Sequence, residues 1–257
     1  MKRFLLRLAF PLFLLPAAAA IRSEVVEYAD GATTLEGWVT YDDTKSGPCP
    51  VVVIVHQWRG LGDYEKKRAQ MLAELGYVAF CADIYGKGVR PATAEAAGKQ
   101  AGQFKGDRPL LRRRVAAALA KLKSLPQCEP RKTAAMGYCF GGTAALELAR
   151  SGADTLGIVS FHGGLASPTP QDAKNSKARV LALHGANDPF VPADEVAGFQ
   201  QEMRVAGLDW QFIAYGGAVH SFTDWGATGA MKGAQYNEAA DRRSWEAMRG
   251  FFGELFR

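Results

Sequence analysis

From about residue 50 onward, short unbroken apolar runs alternate with longer segments whose apolar residues return every three or four positions. The runs at 51–55, 77–84, 133–137, 156–161, 178–184 and 210–214 are short, and several are rich in Val and Ile. Strands buried on both faces of a sheet have this pattern. The segments at 64–75, 110–122, 142–150, 193–206 and 237–256 carry the helical period instead. Their alternation predicts right-handed crossovers and an α/β fold: a mainly parallel sheet of about eight strands with helices on both faces. In such a sheet the working loops gather at the carboxyl ends of the strands.

Ahead of this region, 24–28 and 34–41 flank Asp30-Gly31, a dipeptide that favours the positive φ angles of a tight hairpin. An antiparallel pair is therefore expected to open the domain. The stretch 86–107 is polar and glycine-bearing without a clear period, and because it follows a strand end it is expected to overhang the site. No repeat or linker divides the chain, so 21–257 reads as a single α/β domain.

The first twenty residues stand apart. Lys2, Arg3 and Arg7 precede an apolar run at 8–15, followed by Pro16 and four alanines. This predicts a signal peptide cleaved before Ile21 and export to a bacterial periplasm, with an uncleaved anchor as the alternative. The leader holds three cations and no acid, so three of the five net positive charges belong to it. The remaining cluster, Arg112-Arg113-Arg114, opens a helical segment and reads as a solvated face, not a nucleic-acid patch.

Cysteines occur at 49, 81, 128 and 139, without C-x-x-C spacing or a histidine at zinc-site distance. Neither a thioredoxin-like site nor a metal site is indicated. Cys49 and Cys128 each precede a core strand at the same end of the sheet, which leaves open a disulfide or two free thiols.

The chemistry concentrates in three segments. Gly137-Tyr138-Cys139-Phe140-Gly141-Gly142 has the G-x-nucleophile-x-G form at a strand-to-helix junction, with cysteine in the serine position. Glycines are needed there because the nucleophile sits in a strained turn, and the helix N-terminus favours a thiolate. Asp188, in His184-Gly185-Ala186-Asn187-Asp188-Pro189-Phe190-Val191-Pro192, follows another strand and is the candidate orienting acid, with Asp172 and Asp194 as solvated competitors. His220, in Gly216-Gly217-Ala218-Val219-His220-Ser221-Phe222, is the candidate base. The order nucleophile, acid, histidine is that of α/β-hydrolases. His56, His162 and His184 each end a core strand and read as packing histidines. Two backbone donors are needed for an oxyanion hole: one from Phe140, the other from Trp58 or, as second choice, Gln57.

At these residues the chain resembles the dienelactone hydrolase family, and Ala82-Asp83-Ile84-Tyr85 matches the family's strand ending as well. The resemblance covers most of the chain after the leader. It implies an α/β-hydrolase fold, a Cys139-Asp188-His220 triad, no cofactor, and a small-molecule ester or lactone as substrate. Two departures stand out. The family's best-known members carry a glutamate after the first core strand that contacts the resting thiol, and this chain has Gln57. Where those members hold a substrate carboxylate with two arginines, the matching positions are Lys87 and Asp224, with Arg59 and Arg90 nearby. The pocket is accordingly expected to draw on Gln57, Arg59, Tyr85, Lys87, Arg90, Phe222 and Trp225. The rival readings are a general small-ester carboxylesterase and a catalytically silent exported binding scaffold.

Overall fold

A computed structural model describes residues 20–257. The expected leader, apart from its last residue, lies outside the described residues. The domain opens with the hairpin β1 (Ile21–Asp30) and β2 (Thr33–Asp42), in register from Ile21 opposite Asp42 to Asp30 opposite Thr33, with Gly31 at φ +57° in the turn. The core strands are β3 (Cys49–Val55), β4 (Val78–Ala82), β5 (Cys128–Tyr138), β6 (Gly157–Phe161), β7 (Arg179–Gly185) and β8 (Trp210–Tyr215). Eight strands run in the order β1-β2-β4-β3-β5-β6-β7-β8, antiparallel through β2/β4 and parallel from β4 onward. This is the α/β-hydrolase arrangement the alternation of runs predicts.

Six α-helices accompany the sheet among the described residues: α1 (Asp63–Glu74), α2 (Ala94–Gly106), α3 (Arg108–Lys123), α4 (Phe140–Arg150), α5 (Ala193–Ala206) and α6 (Glu238–Leu255). Both faces of β3 are buried, Val51, Val53 and Val55 in one apolar cluster and Val52 and Ile54 in the other, which is why its apolar run is unbroken. The unassigned stretch resolves into α2. Its buried positions, Ala97, Ala101 and Phe104, are mostly small, and Gly98, Gly102 and Gly106 weaken its helical signal.

Arg112-Arg113-Arg114 is not a bare solvated face. Arg112 pairs with Glu147 and Asp172, while Arg113 and Arg114 pair with Asp30, so the run ties α3 to α4 and to the hairpin. Cys49 and Cys128 face each other across β3 and β5 as free thiols. Among the described residues no helix is long and apolar enough to cross a membrane.

Candidate active site

Strand β5 delivers Cys139 to a turn that only its neighbours' lack of side chains permits. Cys139 has φ +54°, a conformation costly for a residue with a Cβ. A Cβ on Gly137 would lie 2.1 Å from the Gly141 carbonyl oxygen, and one on Gly141 would lie 2.1 Å from that of Val55. Chain crossing this close fixes the thiol at the N-terminus of α4. Asp188 lies in the turn after β7, where its N–H donates to the Gly185 carbonyl and its Oδ1 accepts the Phe190 N–H. His220 lies on the loop between β8 and α6, pinned by backbone hydrogen bonds to Gly233 and Gln235. Asn187 staples these two loops: its Oδ1 accepts the Gly217 N–H, and its own N–H donates to the Ala218 carbonyl.

The three side chains meet. His220 Nδ1 is 2.8 Å from Asp188 Oδ2, and His220 Nε2 is 3.1 Å from Cys139 Sγ. Burial opposes ionisation of Cys139, but the charge and hydrogen bond of His220 outweigh it and hold the thiol below its ordinary pKa. Burial likewise opposes the imidazolium, yet the thiolate and Asp188 together push His220 up to about 10. Each group thus favours the charged form of the other, thiolate beside imidazolium. Asp172 and Asp194 are not part of this group: Asp172 pairs with Arg112, and Asp194 caps its own neighbour's N–H on α5.

The remaining histidines are buried, and two support the site. His56 is held down to about 4 by burial, donates through Nδ1 to the Gln57 carbonyl and accepts the Ile84 N–H. His162, at φ +39°, accepts the Cys139 N–H through Nδ1 and contacts Thr223 Oγ1 through Nε2 at 2.7 Å. Burial keeps it neutral, its pKa well below the ordinary value. Its role as an elbow support is invisible in a sequence that shows only a histidine ending a strand.

The loop after β3 discriminates between the two amides considered for the oxyanion hole. The Gln57 N–H already donates to Glu65 Oε1 at 3.1 Å. The Trp58 N–H has no protein acceptor among the described residues, and Trp58 borders the same cavity as Cys139. Phe140, first residue of α4, has an amide with no partner one turn back, and that amide approaches the sulfur.

The cavity over Cys139 measures about 310 Å³. Trp58, Phe140, Phe190, Val191 and Met231 give it apolar walls, and α2 closes one side with Gly98, Ala101, Gly102 and Lys105. None of the seven side chains expected for the pocket borders it, because each is engaged elsewhere. Gln57 donates to Asp224 at 3.0 Å, and Lys87 pairs with Glu27 and Glu36 of the hairpin. Arg90 pairs with Asp83 and Arg59 binds the Ala92 carbonyl; both line a separate hollow with Trp38 and Lys66. Tyr85 donates to the Trp58 carbonyl behind the wall, Phe222 is fully buried, and Trp225 donates to Asp241. Strand-end position located the loops correctly, but the wall comes from α2, the helix whose signal was weakest.

The chain is 41% identical to a dienelactone hydrolase-like promiscuous phosphotriesterase from metagenomic libraries, with a TM-score of 0.90 over 93% of this chain and all of that one. An uncharacterized protein of Caenorhabditis elegans is 37% identical over 150 residues, 57% of this chain and 94% of its own length. A protein of Aquifex aeolicus, provisionally named a carboxymethylenebutenolidase, is 27% identical over 203 residues, 77% of this chain and 86% of its own. The model of the dienelactone hydrolase family matches residues 36–256. On that match the chain belongs to the dienelactone hydrolase family and is a hydrolase acting on ester or lactone bonds.

Proposed function

We propose that Cys139 is the nucleophile of this hydrolase, His220 its acid and base, and Asp188 the group that orients the imidazole. One observation carries the reading: a continuous hydrogen-bonded line from Asp188 through His220 to a thiol that opens into a cavity. The thiolate attacks the acyl carbon, and the amides of Phe140 and Trp58 hold the oxyanion. The C–O bond then breaks, the leaving oxygen takes the proton from the His220 imidazolium, and a thioester remains. His220, now neutral, removes a proton from water. The resulting hydroxide attacks the thioester, releasing the carboxylic acid and restoring the thiolate. Asp188 stabilises the imidazolium without taking its proton.

Apolar walls suit a hydrocarbon acyl group. Lys105 is the one Lys or Arg on the wall, and no Asp or Glu lines it, so an acyl group ending in an anion fits as well. A silent scaffold has no need of a depressed thiol pKa. The structural relative also supports a second, side activity on phosphotriesters, where the same thiolate would attack phosphorus and expel one ester oxygen, which takes the His220 proton. From the leader pattern at 1–20 we propose export to the periplasm, and the N-terminal residue of the secreted protein tests that: Ile21 supports it and Met1 overturns it.

The deciding experiment is hydrolysis of a short-chain chromogenic ester and a carboxylate-bearing enol lactone by the mature enzyme, beside Cys139→Ala. Activity lost in the variant supports the cysteine mechanism, and the preferred substrate assigns the acyl class. Activity retained in the variant removes Cys139 from the chemistry.

A further inference from the structure

The loop at 56–62 joins β3 to α1 and carries Trp58. One side chain holds both of its ends. Glu65 Oε1 accepts the Gln57 N–H at 3.1 Å, and Glu65 Oε2 accepts the Gly62 N–H at 2.9 Å. The second contact is an ordinary cap of α1, made by the residue three places into the helix. The first is not, because Gln57 lies outside the helix at the far end of the loop. Glu65 is only 2% exposed, and no Lys, Arg or His pairs with it among the described residues. A buried carboxylate without a counter-ion, spanning the loop that carries an oxyanion donor, calls for an explanation beyond helix capping.

We propose that Glu65 is a positioning residue of the hydrolase, its ionised carboxylate bracing the loop so that the Trp58 amide stays turned toward Cys139. The inference rests on the roles proposed above for Cys139 and Trp58. A carboxylate presents two acceptor oxygens to two N–H donors. A protonated carboxyl turns one of those oxygens into a donor, which weakens one end of the brace.

The surroundings set where that change falls. Asp224, on the loop after β8, and Tyr138, at the end of β5, face the carboxyl with negative or neutral groups. From β4, the Cys81 thiol donates to the Glu65 carbonyl, and its pKa is raised by burial and then by Glu65. Burial first, then Asp224, pushes the Glu65 carboxyl up to about 7 against the lowering by the Gln57 and Gly62 N–H groups and its own. The brace is therefore complete above neutral pH and loosens below it. Thiolate formation at Cys139 does not require the brace.

The test compares kcat/KM for a neutral ester with the rate of Cys139 alkylation by iodoacetamide, both across neutral pH, in wild type, Glu65→Gln and Cys139→Ala. Alkylation reports the thiolate and needs no oxyanion hole. The carboxamide keeps one acceptor and sets an NH₂ against one of the two N–H groups. The expected result is an acid-side fall in wild-type kcat/KM that alkylation does not share. In Glu65→Gln, kcat/KM drops about ten- to a hundredfold, loses that extra fall, and leaves alkylation unchanged. Superposable wild-type profiles overturn the proposal even if the variant fails to fold, and so does a folded variant with wild-type kcat/KM. Activity retained in Cys139→Ala instead overturns the reading of the nucleophile, so the two failures are distinguishable.

Discussion

Cys139 Sγ and His220 Nε2 lie 3.1 Å apart although 81 residues separate them in the chain. The sulfur is placed by a strand-to-helix turn and the imidazole by a loop pinned to the far end of the sheet, so each position is set independently of the other. Replacing Cys139 by Ala is expected to lower kcat/KM at least ~10³-fold, since removing a triad nucleophile leaves only binding and the oxyanion donors. The thiol is half-buried and packs at the margin of the core. Thermal unfolding should therefore move by no more than a degree or two, about 0.5 kcal/mol, and a large shift would mean that the loss of activity reflects damage to the elbow.

The acid–base balance of the pair gives a pH profile with a determined sign. Cys139 ionises below its ordinary value because His220 supplies charge and a hydrogen bond, so kcat/KM rises on the acid side with the thiolate. His220 is raised to about 10, so its proton is present throughout the neutral range and is lost as pH climbs through that value. Acylation should fall there, when the leaving oxygen no longer finds a proton. In His220→Ala, burial acts on the thiol against only Lys105 and the Phe140 amide. The midpoint of Cys139 alkylation should then move upward, and a midpoint that stays put would show that the helix terminus alone holds the thiolate.

The fold was legible because β3 to β7 carry buried runs, most of them separated by helices with a clear period, and those patterns follow from burial, while the edge strand β8 is only partly buried. That Cys139, Asp188 and His220 meet was legible because backbone geometry dictates the glycines around them. The pocket wall was not. Lys87 ends up in ion pairs with the hairpin, which the antiparallel attachment of β2 to β4 brings within reach, and Arg90 turns back on Asp83 at the end of β4. The amide choice between Trp58 and Gln57 depended on Glu65, eight residues away, accepting one of the two. The composition of α2, alanine and glycine with one buried Phe104, hid the helix that borders the substrate cavity.

Gly98 and Gly102 sit one turn apart on α2, on the cavity side, and a Cβ at either would meet no atom within 4 Å. Glycine inside a helix costs about 0.5–1 kcal/mol relative to alanine. Gly102→Ala is thus expected to raise the melting temperature by about 1–4 °C. The added methyl enters open cavity space, so esters with bulky acyl groups should lose kcat/KM while acetate esters keep it. A variant that gains stability and accepts the whole ester series unchanged would place the acyl group on the other side of the cavity, against Phe190 and Met231.

Behind the site, Arg68 and Asp241 form an ion pair whose side chains are only 2% and 9% exposed. The guanidinium also donates to the Thr223 carbonyl and to Tyr64, and it lies over the rings of Tyr64, Trp225 and Trp245. Thr223 in turn contacts His162, which accepts the Cys139 N–H, so the pair anchors a polar line ending at the nucleophile's backbone. Asp241→Asn leaves a buried cation without its counter-charge and is expected to cost about 3–5 kcal/mol. Removing both charges with apolar residues of similar size should cost much less, because the stranded charge accounts for most of the penalty. Chemical denaturation of Asp241→Asn, Arg68→Met and the double variant forms the cycle that measures this. If the pair also holds the elbow, the double variant, though stable, will turn over more slowly than wild type, because the Thr223 carbonyl has lost one of its two donors and keeps only the Tyr64 hydroxyl. Wild-type turnover in that variant would confine the pair to joining α1 and α6.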